Sequence, residues 1–316
     1  MRILFCGNTF PDAPEYLKKH LPAETDDEII VCRDANIIPH LSGVDIVIPK
    51  MQRIGQPEIE AGQFRLVQQW GAGLEGVDLD SARSKGVFVA NVPATGGNAE
   101  SVAEHAMLLI LALLRDLPKA QANVRAGVLG APLGKMLAGR TVCLYGLGAI
   151  ALPLARRLQS FQVKLIGITR DLHSAKIADF GLSECFSVEE RDRAFAATDI
   201  LVLCMRYSDE MRGMLGAKEL AHLKRGAYVV NVARGGVIDG EALYAQLQLG
   251  HLAGAGLDVF WQEPIPTDAP LLILPNVVAT PHVGGVTEAS FSMIAEAVAV
   301  NIERIRCGEP PLHRVV

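Results

Sequence analysis

Short apolar runs alternate with polar, helix-like pieces from the N-terminus to about residue 98. Because runs rich in Val and Ile are typical of strands, strands are predicted at Ile3–Cys6, Ile29–Cys32, Asp45–Ile48, Leu66–Gln69 and Val87–Ala90. Helices are predicted between them at Pro11–Leu21, Gln56–Gln63 and Asp78–Lys85. Strands that alternate with helices form a parallel sheet covered on both faces, so this segment predicts an α/β domain.

The pattern changes at Asn98, after which residues 99–125 are dense in Ala and Leu and predict one long, mostly buried helix. A second alternating series then predicts strands at 141–145, 163–168, 200–204, 227–232, 254–258 and 277–279, with helices at 149–160, 188–197, 217–223 and 240–249. Pro153 lies inside the first of these helices, which is therefore expected to begin late or to bend. A final helix at 286–306 is expected to return the chain to the first domain.

Length and composition limit the classes of protein that this chain can be. A chain of 316 residues has room for about two domains, each with its own core. The net charge of −5 and the pI near 5.9 show no excess of positive charge that would attract nucleic acid or an anionic membrane. The longest apolar stretch, Ala106–Leu114, is far shorter than the ~20 residues of a membrane helix. We therefore expect no nucleic-acid partner and no membrane span.

The cysteines are scattered, with no Cys-x-x-Cys pair: Cys6, Cys32, Cys143, Cys185, Cys204 and Cys307. Four of them fall in apolar, strand-like runs, where a small buried thiol is expected. We expect no disulfide framework and no metal site, which favours a reducing, cytoplasmic location. The N-terminal residues are too few in apolar side chains for a signal peptide and are predicted to form a strand.

A strand, a glycine-rich turn and a helix start succeed one another in Thr141–Tyr145 and Gly146-Leu-Gly148-Ala-Ile-Ala151. In a dinucleotide fold the first glycine permits the tight turn, the second lets the backbone approach a pyrophosphate, and a small third residue keeps the helix close to the sheet. The helix N-terminus adds N–H groups and partial positive charge. Alone the motif could be a structural turn; in this context it predicts cofactor contacts at Gly146, Gly148, Ala149 and Ile150.

The end of the next strand bears on the choice of cofactor. An acidic residue there would hold the ribose 2′-hydroxyl of NAD, but this chain has Thr169 followed by Arg170. A small neutral residue and a guanidinium leave space and charge for a 2′-phosphate, because Arg pairs with phosphate through a planar fork. The sequence therefore favours NADP. Asp171 keeps NAD open if the loop register shifts.

Three candidate chemical groups appear in order in the last third of the chain: Arg234, Glu263 and His282. Taken singly, Arg234 could be a solvated charge, Glu263 a turn residue before proline, and His282 an ordinary loop histidine. Together and downstream of a dinucleotide motif, they suit one task. Arg234 would hold a 2-keto acid and stabilise charge on its oxygen, His282 would donate a proton to the carbonyl, and Glu263 would stabilise the protonated imidazole.

Several short sequence motifs, in their order along the chain, resemble those of the D-isomer-specific 2-hydroxyacid dehydrogenases, in particular the glyoxylate/hydroxypyruvate reductase group. They are Trp70-Gly-Ala-Gly-Leu-Glu-Gly-Val-Asp, Asn91-Val-Pro, Ser101-Val-Ala-Glu-His, Asn231-Val-Ala-Arg-Gly, Leu257-Asp-Val-Phe with Glu263-Pro, and Thr280-Pro-His. The resemblance covers most of the chain. It implies two doubly wound parallel-sheet domains, with a Rossmann domain at 99–283 inserted into a discontinuous, flavodoxin-like substrate domain at 1–98 and 284–316. It also implies an active site in the cleft and a homodimer formed through the helix at 99–125.

The resemblance also implies site residues. Backbone amides at Ala72, Gly73 and Leu74 would meet the acid, and Ala233 and Asp258 would contact the cofactor, Asp258 at the nicotinamide carboxamide. Where the family often has His-x-Pro beside the adenine, this chain has Cys204-Met-Arg206. Arg206 could add charge near the adenosine phosphate or face solvent, and the sequence leaves both open. Pocket candidates that no spacing argument ranks are Lys50, Met51, Leu74 and Trp261.

Two other functions stay open at this point. Phosphite and formate dehydrogenases share this scaffold, although formate-specific members carry Gln where this chain has Glu263, so a phosphite-type anion dehydrogenase is the nearer alternative. The other is a non-catalytic, dinucleotide-sensing protein similar to a corepressor, against which stand the three retained chemical groups. The preferred 2-keto acid and the physiological direction are not predicted.

Overall fold

The computed structural model describes residues 1–316 except for the side chain at position 175. It divides into two compact units, residues 1–98 with 286–316 (unit 1) and residues 99–285 (unit 2). Each unit contains one parallel sheet with apolar clusters on its two faces. The assignment of the substrate to unit 1 stays a prediction.

The regular elements alternate along the chain. The strands are β1 (Arg2–Cys6), β2 (Glu28–Cys32), β3 (Ile46–Ile48), β4 (Leu66–Gln68), β5 (Phe88–Ala90), β6 (Thr141–Tyr145), β7 (Lys164–Thr169), β8 (Glu184–Ser187), β9 (Ile200–Leu203), β10 (Ala227–Asn231), β11 (Leu252–Leu257) and β12 (Val277–Ala279). The α-helices are α1 (Ala13–Lys18), α2 (Gln56–Ala61), α3 (Leu79–Lys85), α4 (Ala99–Leu114), α5 (Leu117–Arg125), α6 (Ala151–Gln159), α7 (Arg191–Ala197), α8 (Ala217–Ala221), α9 (Gly240–Gln248) and α10 (Glu288–Arg306). Short 3-10 helices lie at Ile38–His40, Ala94–Gly96, Ala175–Phe180, Asp209–Met211, Gly235–Val237 and Pro270–Ile273.

Unit 1 has the strand order β2-β1-β3-β4-β5, and these strands pair in parallel. This is the flavodoxin-like order. Alternate residues of β1 point to opposite faces, so Ile3 packs in the cluster with α1 and α10 while Leu4 packs in the cluster with α2 and α3. Residues 313–316 lie beside β5, where the Val315 N–H donates to the Val89 carbonyl at 2.7 Å. The chain thus covers one edge of this sheet.

Unit 2 has the strand order β12-β11-β10-β9-β6-β7-β8, again parallel throughout. It is the doubly wound dinucleotide-binding order with one further strand, and the order reverses between β6 and β9. Helices α4 and α6 cover one face, and α7, α8 and α9 cover the other. Ligands bind at the carboxyl ends of the strands beside such a reversal, which here are the ends of β6 and β9.

The predicted strands are present, each with ends within two residues of the predicted ones, but β8 was not predicted. This strand has the sequence Glu-Cys-Phe-Ser and pairs only with β7, at the edge of the sheet. Only Phe186 of the four residues is buried, so no apolar run marks it. Four cysteines in strand-like runs, Cys6, Cys32, Cys143 and Cys204, are buried as expected, and all six are free.

The prediction of a single helix over 99–125 is wrong. Helix α4 ends at Leu114, Asp116 adopts a left-handed conformation with φ 46°, and α5 begins at Leu117. Pro118 lacks the N–H that would bond to the Leu114 carbonyl in a continuous helix, and proline is tolerated only in a first turn. The late start of the helix containing Pro153 is confirmed, because α6 begins at Ala151 and Pro153 lies in its first turn.

Across the part of the chain that the structure describes, none of the helices combines the length and the apolar character needed to cross a bilayer.

Candidate active site

Three neighbouring strands of unit 2 lead into the candidate catalytic residues. Strand β10 is followed by Arg234, β11 by Glu263 and β12 by His282, and the three strands are adjacent in the sheet. Because the carboxyl ends of parallel strands share one edge, residues far apart in the chain meet there. The structure therefore brings the predicted trio to one edge of one unit.

The imidazole of His282 lies against the carboxylate of Glu263. The distance from Nδ1 to Oε2 is 2.7 Å, and the other oxygen, Oε1, accepts the backbone N–H of Phe260 at 2.9 Å. A carboxylate only accepts, so Nδ1 carries the hydrogen. Burial acts to raise the pKa of Glu263, but the hydrogen bond and charge of His282, the Phe260 amide and the charge of Arg234 outweigh it and lower the pKa below 4.5. Glu263 is therefore an anion at neutral pH.

The backbone of His282 is left-handed, with φ 56°. A residue other than glycine in this region costs on the order of 1–3 kcal/mol and persists only where the surroundings hold it. Here the His282 N–H donates to the Asp258 carbonyl at 2.8 Å and lies 3.0 Å from the Thr280 carbonyl. The turn after β12 thus fixes the direction of the imidazole.

The carboxylate of Asp258 organises this turn from inside the protein, since the residue is only 3% exposed. Oδ1 accepts the Thr280 hydroxyl at 2.7 Å and the Val283 N–H at 2.9 Å, and Oδ2 accepts the Gly284 N–H at 2.8 Å. A Cβ at Gly284 would lie 2.8 Å from Oδ2, so this contact favours glycine. Burial acts to raise the pKa of Asp258, but hydrogen bonds from His105, Thr280 and the two amides lower it overall.

Asn231 shapes the turn that carries Arg234. Its side chain is almost fully buried; Oδ1 accepts the Ala233 N–H at 3.0 Å and Nδ2 donates to the Arg234 carbonyl at 3.0 Å. The next residue, Gly235, touches the loop after β11, because a Cβ there would lie 1.8 Å from the carbonyl carbon of Phe260. Glycine at this position lets the Arg234 turn and the loop leading to Glu263 approach each other.

The glycine-rich turn after β6 lies at the reversal of strand order. Gly146 has φ 97°, and a Cβ there would lie 2.4 Å from the Cα of Met205 after β9, so both conformation and space require glycine. A Cβ at Gly148 would meet no described atom within 4 Å. The side chain of Ala151 is fully buried, and the first turn of α6 carries no acidic residue. These features fit a pyrophosphate at Gly148, Ala149, Ile150 and the helix N-terminus.

The residues after β9 and β10 that were predicted to touch the cofactor differ in exposure. Cys204 is buried, and its Sγ lies 3.2 Å from the Gly146 carbonyl, so the thiol donates a hydrogen bond to the glycine-rich turn. Burial raises the pKa of Cys204 strongly, and it is a neutral thiol. Ala233 is buried with its N–H bound to Asn231, whereas Arg206 is exposed. Cofactor contacts of all three stay predictions.

The loop after β7 contains the residues that bear on the 2′-position. Thr169 is half-buried and its Oγ1 accepts the Asp171 N–H at 3.3 Å, while Arg170 is exposed. The carboxylate of Asp171 accepts the His173 N–H at 3.0 Å. Asp171 is thus part of a local turn.

The predicted substrate loop lies in unit 1, after β4. Its carbonyls are held: Gln69 Nε2 donates to Gly73 at 2.6 Å, Asn91 Nδ2 donates to Ala72 at 2.8 Å, and the Val77 N–H donates to Leu74 at 3.0 Å. In the described hydrogen bonds the amides of Ala72, Gly73 and Leu74 are not donors. This arrangement leaves the amides for a ligand. Their contact with a substrate carboxylate stays a prediction.

Several residues that hold the site have no role predicted from the sequence. Asn231 and Thr280 stand in the quoted phrases, but their hydrogen bonds become apparent only when the strands are neighbours. His105 lies on α4, and its Nε2 is 2.8 Å from the Thr280 hydroxyl. No sequence signal connects a helical histidine to a turn so much later in the chain.

Comparison with known proteins agrees with this architecture. Residues 107–284 match the family described as "D-isomer specific 2-hydroxyacid dehydrogenase, NAD binding domain". The glyoxylate reductase of Korarchaeum cryptofilum is 35% identical over 257 residues, which cover 79% of this chain and 76% of that protein. The chain belongs to the D-2-hydroxyacid dehydrogenase family. The resemblance inferred from the sequence is confirmed, and this member is an oxidoreductase with an NAD(P)-binding domain.

Other members of the dehydrogenase family are similarly close. The D-3-phosphoglycerate dehydrogenase of Archaeoglobus fulgidus is 28% identical over 313 residues, and the match covers 98% of this chain but 58% of that longer protein. The crystal structure of the NADPH-dependent glyoxylate/hydroxypyruvate reductase of Sinorhizobium meliloti superposes with a TM-score of 0.83 at 31% identity, covering 100% of this chain and 96% of that one. The predicted fold of two parallel-sheet α/β domains is confirmed.

Proposed function

We propose that this dehydrogenase reduces a small 2-keto acid of the glyoxylate or hydroxypyruvate class to the D-2-hydroxy acid, with His282 as the proton donor. The observation that carries the proposal is the 2.7 Å contact between His282 Nδ1 and the Glu263 carboxylate, with Arg234 close enough to lower the pKa of Glu263. Similarity to glyoxylate reductases supports the substrate class.

Proton donation is the task of the second ring nitrogen of His282, Nε2. With Nδ1–H bound to an anion, the imidazolium is stabilised in place and the ring cannot rotate without losing that bond. A positioned acid of this kind contributes a factor of roughly 10²–10⁴ to the rate. When the hydroxy acid is oxidised instead, the same nitrogen takes the proton back.

Arg234 supplies the fixed positive charge. Its guanidinium stays protonated at any physiological pH and presents several N–H donors in one plane. We assign it to the carboxylate and the carbonyl oxygen of the substrate, where it orients the acid and stabilises negative charge that grows on the oxygen. Asn231 and Gly235 hold the backbone turn that carries Arg234, and the charge of Arg234 acts on Glu263.

The fit of the dinucleotide rests on the glycine-rich turn, where the open space at Gly148 and the N-terminus of α6 would hold the pyrophosphate. When bound, the nicotinamide supplies the hydride. Three further observations support NADP over NAD. Thr169 offers no negative charge at the end of β7, Arg170 is exposed beside it, and Asp171 accepts the amide of His173 in its own turn.

A direct assay tests this proposal. Loss of reduced-nicotinamide absorbance is monitored with glyoxylate, hydroxypyruvate, pyruvate and phenylpyruvate, each offered with NADPH and with NADH. We expect turnover of glyoxylate or hydroxypyruvate, faster with NADPH, and a D product by chiral chromatography. Formation of reduced nicotinamide from phosphite and NADP⁺ or NAD⁺, without turnover of any keto acid, would replace the proposal with the inorganic-anion alternative. Tight dinucleotide binding without any turnover would replace it with a sensor.

We also propose that the enzyme is a homodimer formed through α4, α5 and residues 126–136. Large apolar side chains are exposed along this region, including Leu108, Val124, Leu129, Leu133 and Met136, of which Leu129 is 94% and Leu133 100% exposed. Several large apolar side chains exposed in one region are typical of an interface between chains. Light scattering should give about twice the chain mass of 33.9 kDa, and the mass of a monomer at working concentration would contradict the proposal.

A further inference from the structure

His105 projects from α4 into the turn that carries His282. Its side chain is 12% exposed, and its Nε2 lies 2.8 Å from the Thr280 Oγ1 and 3.3 Å from the Asp258 Oδ1. Helix α4 packs against β10, β11 and β12, the strands that lead to the three catalytic candidates. His105, on the helix that covers these strands, therefore contacts the residues that hold the turn of His282.

The directions of the hydrogen bonds are determined by what each group can do. A carboxylate only accepts, so the Thr280 hydroxyl donates its single hydrogen to Asp258 Oδ1 at 2.7 Å. The hydroxyl oxygen can then only accept from His105, which fixes the hydrogen on Nε2 of that ring. His105, Thr280 and Asp258 thus form one ordered chain of hydrogen bonds.

Asp258 connects this chain of hydrogen bonds to the turn of His282, the proposed proton donor. Its carboxylate accepts the amides of Val283 and Gly284, and its backbone carbonyl accepts the amide of His282. The strained backbone of His282 needs such surroundings, because a left-handed conformation relaxes where nothing holds it. The His105 ring also packs beside Gly284, since a Cβ at Gly284 would lie 3.5 Å from that ring.

We infer that His105 is a positioning residue for catalysis, which holds the Asp258–Thr280 pair and thereby keeps the His282 imidazole on Glu263. The inference rests on the proposed role of His282 as the proton donor. His105 itself need not touch the substrate or the cofactor. It acts by restricting the turn that aims the acid.

The test compares two substitutions with different hydrogen-bonding capacity. His105→Leu removes the donor at similar volume, whereas His105→Gln keeps an N–H donor at nearly the same reach. Because misplacing a reacting group by about 1 Å can cost 10²-fold in rate, we expect His105→Leu to lower kcat by at least about tenfold, with KM for the keto acid and the Kd of the dinucleotide within about twofold. His105→Gln should recover most of the lost kcat.

A matched control comes from His251 of the same unit. It is half-buried, and its Nε2 makes a hydrogen bond to a backbone carbonyl, that of Leu223 at 3.0 Å, but it lies outside the cluster. His251→Leu should leave kcat unchanged. If His105→Leu does not fold, Thr280→Val interrupts the same chain of hydrogen bonds with an isosteric side chain, and the same loss of kcat is expected.

Hydrogen exchange separates this inference from the proposed function. In the enzyme without substrate, the amides of Val283 and Gly284 should exchange faster in His105→Leu than in the wild type, and His105→Gln should restore their protection. This readout remains decisive if no keto acid is turned over, when only the proposed function fails. An unchanged kcat and unchanged exchange in His105→Leu would overturn the inference. So would a loss confined to KM, or a His105→Gln variant as impaired as His105→Leu.

Discussion

The imidazole of His282 and the carboxylate of Glu263 face each other at 2.7 Å, and the carboxylate is anchored in turn by the amide of Phe260 at 2.9 Å. The pair comes from two neighbouring strand ends, so its geometry depends on the sheet and on the two loops together. Substitution can test this geometry, the cofactor site and two contacts that stabilise the fold.

The first prediction concerns the charge of Glu263. Glu263→Gln removes the anion that accepts the Nδ1–H of His282 at 2.7 Å, so kcat for the keto acid at neutral pH should drop about tenfold or more. The measurement is kcat at pH 7. Glu24→Gln, at an exposed position of unit 1, serves as the control, and a kcat of Glu263→Gln equal to that of the wild type would remove Glu263 from the mechanism.

The low pKa of Glu263 determines how its contribution to stability changes at acid pH. A carboxyl group whose pKa is depressed in the folded state stabilises the fold above its ordinary pKa and loses that contribution as pH falls through the depressed value. The contribution of Glu263 is therefore complete above pH 4.5 and is lost below it. The stability difference between wild type and Glu263→Gln, measured by urea unfolding, should therefore shrink as pH falls below 4.5. A difference that stays unchanged to the lowest pH at which the protein folds would contradict this.

The second prediction removes the acid itself. His282→Ala should lower turnover by about 10²–10⁴-fold because no group replaces the proton donor. Dinucleotide affinity, measured by nicotinamide fluorescence, should stay within about twofold, since the pyrophosphate turn lies on other strands. Substantial retained turnover would discard the mechanism.

The third prediction addresses cofactor choice. Arg170→Ala should raise KM for NADPH about tenfold, because a charge-assisted hydrogen bond to phosphate is lost, and should change KM for NADH little. Arg206→Ala is the matched comparison, since Arg206 is also exposed. An effect of Arg206→Ala on NADPH would place its charge near the adenosine phosphate, and no effect would mean that it faces solvent. Equal effects of Arg170→Ala on both cofactors would refute the assignment.

The fourth prediction concerns the contact between two loops. A methyl group on Gly235 would overlap the carbonyl of Phe260, and such overpacking typically costs about 1–3 kcal/mol. Gly235→Ala should lower the Tm and also reduce kcat, because the turn of Arg234 and the loop of Glu263 are pushed apart. Gly96→Ala, where no described atom lies within 4 Å of the added Cβ, should do neither. Equal Tm values for the two variants would show that the loops adjust freely.

The fifth prediction tests an ion pair within unit 1. Asp27, with a side chain 3% exposed, binds Arg306 at 2.6 Å and the N-terminal ammonium at 2.7 Å. Burial acts to raise its pKa, but these donors and Thr25 lower the pKa from 3.8 to about 2. At ~1.4 kcal/mol per pKa unit, Asp27→Asn should reduce the free energy of unfolding by about 2 kcal/mol at neutral pH.

The pH dependence gives the sign of this fifth effect. The stabilisation by Asp27 is complete above pH 3.8 and is lost as pH falls towards about 2. The difference between wild type and Asp27→Asn should therefore persist at pH 6 and narrow below pH 4 in denaturant titrations. A difference that stays constant to the lowest pH at which the protein folds would show that the charge is not its cause.

The sequence predicts the strand ends that carry Arg234, Glu263 and His282 because apolar runs locate buried parallel strands, and the residues after such strands meet at one edge of the sheet. It does not predict how those residues are held. The bond from Thr280 to Asp258 joins two strand ends, and that from His105 to Thr280 joins a helix to a turn; both depend on tertiary packing. The break at Asp116 was missed for a local reason, since apolar density in 99–125 outweighed the signal of Pro118.

The placement of residues 313–316 beside β5 has a consequence for association between molecules. An exposed strand edge offers unpaired N–H and C=O groups to any other chain, which promotes aggregation. The Val315 N–H donates to the Val89 carbonyl, and the Val89 N–H donates to the Val316 carbonyl, so these groups of β5 are occupied. Among the described strands of that sheet, β2 is left as the other edge. Displacing residues 313–316 uncovers a second surface for strand addition and makes the protein prone to precipitate.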